Sequence, residues 1–66
     1  MKLFIKVKIS NDNYISDNVK KGDIGYILEN YGDGYYEVQF WDESKTPPES
    51  LAVISVSGKD IIEIYE

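Results

Sequence analysis

The chain has 66 residues, with seven lysines, no arginine and twelve acidic residues, which give a formal net charge of −5. This length predicts one small domain over residues 1–66. Because the chain contains neither cysteine nor histidine, disulfides, thiolate nucleophiles and the commonest metal ligand and general base are excluded.

The first predicted strand covers residues 2–9. Its apolar side chains alternate with lysines, as in a strand with one face on the core, and they are Leu3, Ile5, Val7 and Ile9. Phe4 interrupts the polar side, and we expect it to be partly exposed or to cover one end of the fold. Residues 10–17 are rich in Asn, Asp and Ser, which favour turns. They predict a loop that folds back over the sheet with Tyr14 or Ile15 tucked in.

A hairpin is the strongest local signal. Two β-rich runs, residues 24–30 and 35–41, flank Tyr31-Gly32-Asp33-Gly34, and glycine and aspartate accept the turn conformations that a hairpin needs. Gly25 lies inside the first run and predicts a bulge or a tight bend. In the second run one face is the better candidate for the core, and it carries Tyr36, Val38 and Phe40.

The rest of the chain predicts two more strands. Residues 42–50 contain two prolines and predict a loop. Residues 51–56 predict the fourth strand, residues 57–60 a single 3₁₀ turn, and residues 61–65 a last strand with Ile62 and Ile64 on one face. The predicted fold is therefore all-β, a small five-stranded SH3-like barrel. The alternative is a five-stranded OB-type barrel, which usually needs a helix between the third and fourth strands.

The charge is unevenly distributed. Residues 1–28 hold five lysines and three acids, a balance of +2, and residues 29–66 hold two lysines and nine acids, a balance of −7. Such a chain repels phosphate, so no nucleic-acid partner is expected. The chain has no apolar run that could span a bilayer and no signal peptide, which predicts a cytoplasmic protein without a membrane partner. The acidic half suits a basic protein partner, although it could serve solubility alone.

Two segments resemble a bacterial family of small, uncharacterised SH3-like barrel domains. They match the pattern Lys-x-Gly-Asp-x-Gly, beginning at Lys20, and Asp-Gly-x-Tyr-Glu-Val-x-Phe, beginning at Asp33. The resemblance covers roughly residues 3–64 and implies an SH3-like barrel. Some members look like companions of bacterial toxins, which implies an immunity or antitoxin role. The Asn- and Asp-rich first loop and the Pro47-Pro48 insertion depart from the family's pattern.

Catalytic chemistry is not expected. No serine lies in a nucleophile-elbow motif. The adjacent Asp42 and Glu43 would point to opposite faces of an extended strand and could not easily share a proton. Asp33 is most simply a turn residue, and the acids of residues 11–17 lack the spacing of a calcium loop. We therefore predict no enzyme activity, no cofactor and no metal.

Aromatic and acidic residues instead predict a protein-binding surface. Three aromatic residues are candidates for the outward side of the second and third strands, and four acids would form a rim around them. The seven are Tyr26, Tyr35, Glu37, Trp41, Asp42, Glu43 and Glu49. Aromatic residues are enriched at binding hot spots, but in a domain this small they also stabilise hairpins and cover the core.

These observations favour a non-catalytic protein-binding module. The leading hypothesis is an immunity protein that binds and neutralises a cognate bacterial toxin with a basic surface. A cationic nuclease is an example of such a toxin. The alternative is a docking subunit or adaptor of a larger complex, and a nucleic-acid-binding barrel ranks third. We expect a monomer or a weak dimer, in which an exposed second or last strand pairs with another copy.

Overall fold

A computed structural model describes residues 3–65, which form one antiparallel five-stranded sheet. The strands are β1 (Lys6–Ile9), β2 (Ile24–Asn30), β3 (Tyr35–Asp42), β4 (Glu49–Ser57) and β5 (Ile61–Glu63). Two 3₁₀ turns, Ile15–Asp17 and Gly58–Asp60, complete the described structure. The predicted all-β class is confirmed. No helix within the described residues is long and apolar enough to cross a membrane.

The sheet is open. Its strand order is β4-β3-β2-β1-β5, so β4 and β5 are the two edges, and within residues 3–65 no ladder joins them. The five predicted strands are present, but the sheet is not closed into the predicted barrel.

One cluster of apolar side chains covers one face of the sheet, which is its core face. Tyr36, on the predicted core face of β3, is partly buried against this cluster. The buried members are Val7, Ile9, Val19, Ile27, Val38, Phe40, Val56 and Ile61. The period of two in β1 and β3 is therefore confirmed, since burial of alternate side chains is what a strand with one face on a core requires.

The two ends of the chain depart from simple alternation. Phe4 has a positive φ of 63°, which turns the backbone before β1, so the strand begins at Lys6. Leu3 is consequently exposed and does not join the core, and Phe4 is 71% exposed. Lys2, where the first strand was predicted to begin, lies outside the described residues.

The phase of β5 is the reverse of the predicted one. Ile61 is 5% exposed and belongs to the core, whereas Ile62 is 51% exposed on the opposite face. A 3₁₀ turn lies immediately before β5. Ser57 caps it by accepting a hydrogen bond from the Lys59 N–H, and Ile61 then pairs with the buried Ile9 of β1.

The hairpin between β2 and β3 is confirmed. Gly32 and Gly34 adopt positive φ values of 82° and 90°. The Asn30 side chain accepts a hydrogen bond from the Gly32 N–H at 2.9 Å, and the Asp33 side chain accepts one from the Tyr35 N–H at 3.1 Å. Asp33 is therefore the turn residue that the sequence predicted.

The bulge predicted at Gly25 lies elsewhere. Gly25 pairs in unbroken register with Val7 of β1 and Phe40 of β3, and the irregularity of β2 falls between Ile27 and Glu29. Gly25 is instead required by close packing, because a Cβ atom there would lie 2.7 Å from the Val38 Cγ1 atom.

Candidate functional site

The outer face of the sheet, opposite the core, carries the predicted aromatic residues. Val38 and Phe40 are buried, so Gln39 and Trp41 point outward from β3. Trp41 lies opposite Ile24, and Tyr26 lies opposite Gln39. Tyr26 and Trp41 are therefore diagonal neighbours across two strands, a separation that large aromatic side chains can span.

Tyr26 and Trp41 line a shallow groove together with two residues of the β3–β4 loop, Glu43 and Pro48. The groove has a volume of about 270 Å³. β3 ends at Asp42 and β4 begins at Glu49, so the loop spans residues 43–48 and lies at the end of the strands where Trp41 is found. Three of the seven predicted site residues thus meet at one groove.

Pro48 is the groove residue that the sequence analysis missed. The two prolines were interpreted only as residues that cannot donate ladder hydrogen bonds. A proline also presents a rigid apolar ring, and a proline that follows an aromatic strand across a short loop can cover that strand's outward side chains. The short separation between Trp41 and Pro48 in the sequence was therefore the feature that could have predicted this contact.

The remaining acids near the groove have different roles. Asp42 accepts hydrogen bonds from the Ser44 hydroxyl and, at 3.0 Å, from the Ser44 N–H. These two bonds hold the pKa of Asp42 below its ordinary value, and the bond from the Ser44 hydroxyl has the larger effect. Asp42 is therefore an ionised residue at the start of the turn. Glu49 is exposed at the start of β4 and pairs in register with Asp42. Two like charges placed directly opposite each other on neighbouring strands are destabilising.

Tyr35 and Glu37 lie away from the groove. Tyr35 is 47% exposed at the far end of β3. It lines a separate concavity of about 450 Å³ with the hairpin turn and the 3₁₀ turn that contains Gly58. Glu37 accepts a hydrogen bond from the Tyr31 hydroxyl at 2.6 Å, which raises the pKa of Tyr31. The predicted single surface therefore divides between two ends of the sheet.

A polar cluster around Asp60 fixes the first loop to the sheet. The Tyr14 hydroxyl donates to the Asp60 carboxylate at 2.6 Å and accepts from the Ser57 N–H at 3.1 Å. The Asn11 amide donates to the other Asp60 carboxylate oxygen at 2.7 Å. Tyr14 is thus the residue of the first loop that packs on the core, whereas Ile15 is 56% exposed. Neither the cluster nor its centre was visible in the sequence, because its members lie far apart in the chain.

Replacing Tyr14 with phenylalanine is expected to lower the free energy of unfolding by about 1 kcal/mol, because two partly buried hydrogen bonds lose their shared hydroxyl. Urea denaturation followed by the fluorescence of Trp41 measures the change. Tyr31→Phe is the matched control, since its hydroxyl bonds only at an exposed position, and we expect almost no change. Equal changes in the free energy of unfolding for the two variants would contradict the conclusion that the Tyr14 hydroxyl holds the first loop to the sheet.

The hydrogen bonds to Asp60 predict that the folded protein loses stability in acid. Hydrogen bonds from Tyr14 and then Asn11 hold the pKa of Asp60 below its ordinary value of 3.8. A lowered folded-state pKa contributes stability above the unfolded value, and this contribution is lost as the pH falls through the folded-state pKa. Asp60→Asn should therefore be less stable than the natural protein at neutral pH and show a shallower decline below pH 3.8.

The urea midpoint as a function of pH tests this expectation. Some acid dependence should persist in Asp60→Asn, because Asp42 also has a lowered pKa. Parallel curves for the variant and the natural protein would contradict the assignment.

Within residues 3–65 no cluster of three or more acidic side chains is placed to hold a metal ion. The groove presents two aromatic rings, a proline ring and a carboxylate. Comparisons with models of protein families, with curated proteins and with solved structures found no match to this chain.

Proposed function

We propose that the protein is a non-catalytic binding module that holds a basic protein partner at the groove. The observation that carries the proposal is the meeting of Tyr26, Trp41 and Pro48 with the Glu43 carboxylate. Aromatic faces attract cations, and Arg stacks on them while its guanidinium pairs with a carboxylate. An arginine or lysine side chain of the partner fits this combination.

Charge near the groove favours the same class of partner. Asp42, Glu43 and Glu49 lie at the end of the sheet that carries the β3–β4 loop, and the chain as a whole carries −5. The lysines of β1, which pair in register with Ile24 and Tyr26, lie on the opposite side of the groove. A basic partner would therefore approach from the side of the β3–β4 loop, where charge steers encounter and orientation.

The specific form of the proposal is an immunity protein that occupies the basic substrate-binding surface of a toxin in the cytoplasm. Resemblance of residues 3–64 to small bacterial barrel domains, some of which look like toxin companions, supports this form. A docking subunit of a larger complex could use the same groove. Growth of cells that produce the partner separates the two, since only an immunity protein should restore it.

Co-expression with the product of the adjacent gene tests the proposal. We expect a stable complex in a pull-down and restored growth when the partner is toxic. The complex should weaken as salt is added, because charge pairs at a surface are screened. A complex without growth rescue would support the docking role, and the absence of any complex would overturn the immunity proposal for that partner.

A further inference from the structure

β4 is a sheet edge with little protection against pairing over residues 52–57, the part of the strand beyond the register shift that interrupts its pairing with β3 beside Leu51. Natural edge strands are kept short or carry charges and prolines that prevent pairing with another chain. β5, the other edge, follows this rule, because it has only three residues and includes Glu63. β4 has nine residues, and every side chain from Ser50 to Ser57 is uncharged.

The backbone groups on this edge point away from β3. The Tyr35 carbonyl accepts from the Tyr31 N–H at 3.1 Å, so it faces β2 and not its β4 neighbour Ser57. The Ser57 N–H correspondingly points outward and donates to the Tyr14 hydroxyl. Because backbone groups alternate along an antiparallel strand, those of Ser55 and Val53 also point outward, where no described strand receives them.

The apolar side chains of the core are less completely buried beside the same edge. Ala52 and Ile54 face the core opposite Phe40 and Val38. The two β3 side chains are fully buried, whereas Ala52 and Ile54 are only half-buried. Val53, on the face opposite the core, is 50% exposed. A further strand beside β4 would pair its free backbone groups and cover part of all three apolar residues.

We propose that this strand is β4 of a second copy, paired antiparallel so that the two sheets become continuous about a two-fold axis near Val53. Antiparallel pairing of identical strands gives a closed, isologous dimer. It also separates like charges. Glu49 of one chain would lie at the opposite end from Glu49 of the other, beside the Ser57 end, after which the next charged residue is Lys59. The Tyr14 bond to Ser57 marks the limit of the free edge.

Cross-linking tests the geometry. The chain has no cysteine, so Val53→Cys introduces a single thiol at the proposed axis, and Ile62→Cys introduces one on the other edge. With a short bismaleimide we expect a covalent dimer from Val53→Cys and almost none from Ile62→Cys, which is similarly exposed. Equal yields, or no dimer from Val53→Cys, would overturn the proposed edge.

Sedimentation equilibrium of the full chain, from micromolar to millimolar protein, tests the energetics. We expect a dimer that strengthens between about 0.1 M and 1 M salt, because screening relieves the repulsion between two acidic chains. Val53→Lys should weaken dimerisation at least tenfold, although it reduces the net charge that opposes association. Ile62→Lys makes the same charge change on the other edge and should not weaken it.

Circular dichroism and urea midpoints confirm that both lysine variants are folded. A natural protein that stays monomeric at millimolar concentration in high salt would overturn the proposal. So would equal weakening by the two lysine variants. Binding of the basic partner is measured separately and does not depend on this outcome.

Discussion

Replacing Gly25 with alanine is expected to lower the free energy of unfolding by about 3 kcal/mol, the upper part of the range for overpacking a core. An added Cβ atom would lie 2.7 Å from Val38 Cγ1, 2.8 Å from the Gln39 carbonyl oxygen and 2.9 Å from Phe40 Cδ1. Side chains could shift a little, but the carbonyl oxygen belongs to the β2–β3 ladder. Relief would therefore require β2 and β3 to separate.

A loss of about 3 kcal/mol would remove a large part of the stability of a domain this small, for which about 3–10 kcal/mol is usual. The urea midpoint, followed by circular dichroism, measures it. Gly58→Ala is the matched control, because its Cβ would meet the ring edge of Tyr36 at 3.0 Å and the Gly34 carbonyl oxygen only at 3.4 Å. If Gly25→Ala proved as stable as Gly58→Ala, the close packing at Gly25 would not constrain the residue.

Local patterns predicted the elements that local physics determines. Alternation with a period of two placed Val38 and Phe40 in the core, and two glycines around Asp33 placed the hairpin turn. These features depend on side chains a few residues apart, and the sequence displays them directly. The 3₁₀ turn after Ser57 was likewise predicted from a short local stretch.

Features that depend on distant residues were not predictable in this way. Gly25 was expected to bend the strand, because its close neighbours in β3 are not visible in a single run of sequence. The phase of β5 depends on how Ile61 meets Ile9, more than fifty positions earlier in the chain. The identity of the two edges follows from the strand order β4-β3-β2-β1-β5, and no local pattern reports that order.

The candidate site illustrates the same limit. The aromatic residues on the outward faces of β2 and β3 were identified correctly as a set, but the register decides which of them meet. It places Tyr26 diagonally across from Trp41 and leaves Tyr35 at the other end of β3. The last strand is an edge, as expected, whereas the second strand is central and cannot pair with another copy.

Replacing Trp41 with alanine is expected to weaken binding of the basic partner about 30-fold or more. This corresponds to about 2 kcal/mol, the loss typical of a tryptophan hot spot. Trp41 forms one wall of the groove together with Tyr26, and its ring offers the largest aromatic face there for a cationic side chain. Isothermal titration calorimetry against the product of the adjacent gene measures the loss.

Tyr35→Ala is the matched control for Trp41→Ala. Tyr35 is an aromatic residue on the same face of the same strand, but it lies outside the groove. We expect the affinity of Tyr35→Ala for the partner to stay within about threefold of that of the natural protein, since interface residues away from a hot spot contribute little. Trp41→Phe separates binding from folding, because it keeps an aromatic face and most of the packing against Ile24. Retained affinity in Trp41→Phe with lost affinity in Trp41→Ala would assign the aromatic face to binding. Equal losses in Trp41→Ala and Tyr35→Ala would instead place the partner on the whole outer face of the sheet and remove the groove from the proposal.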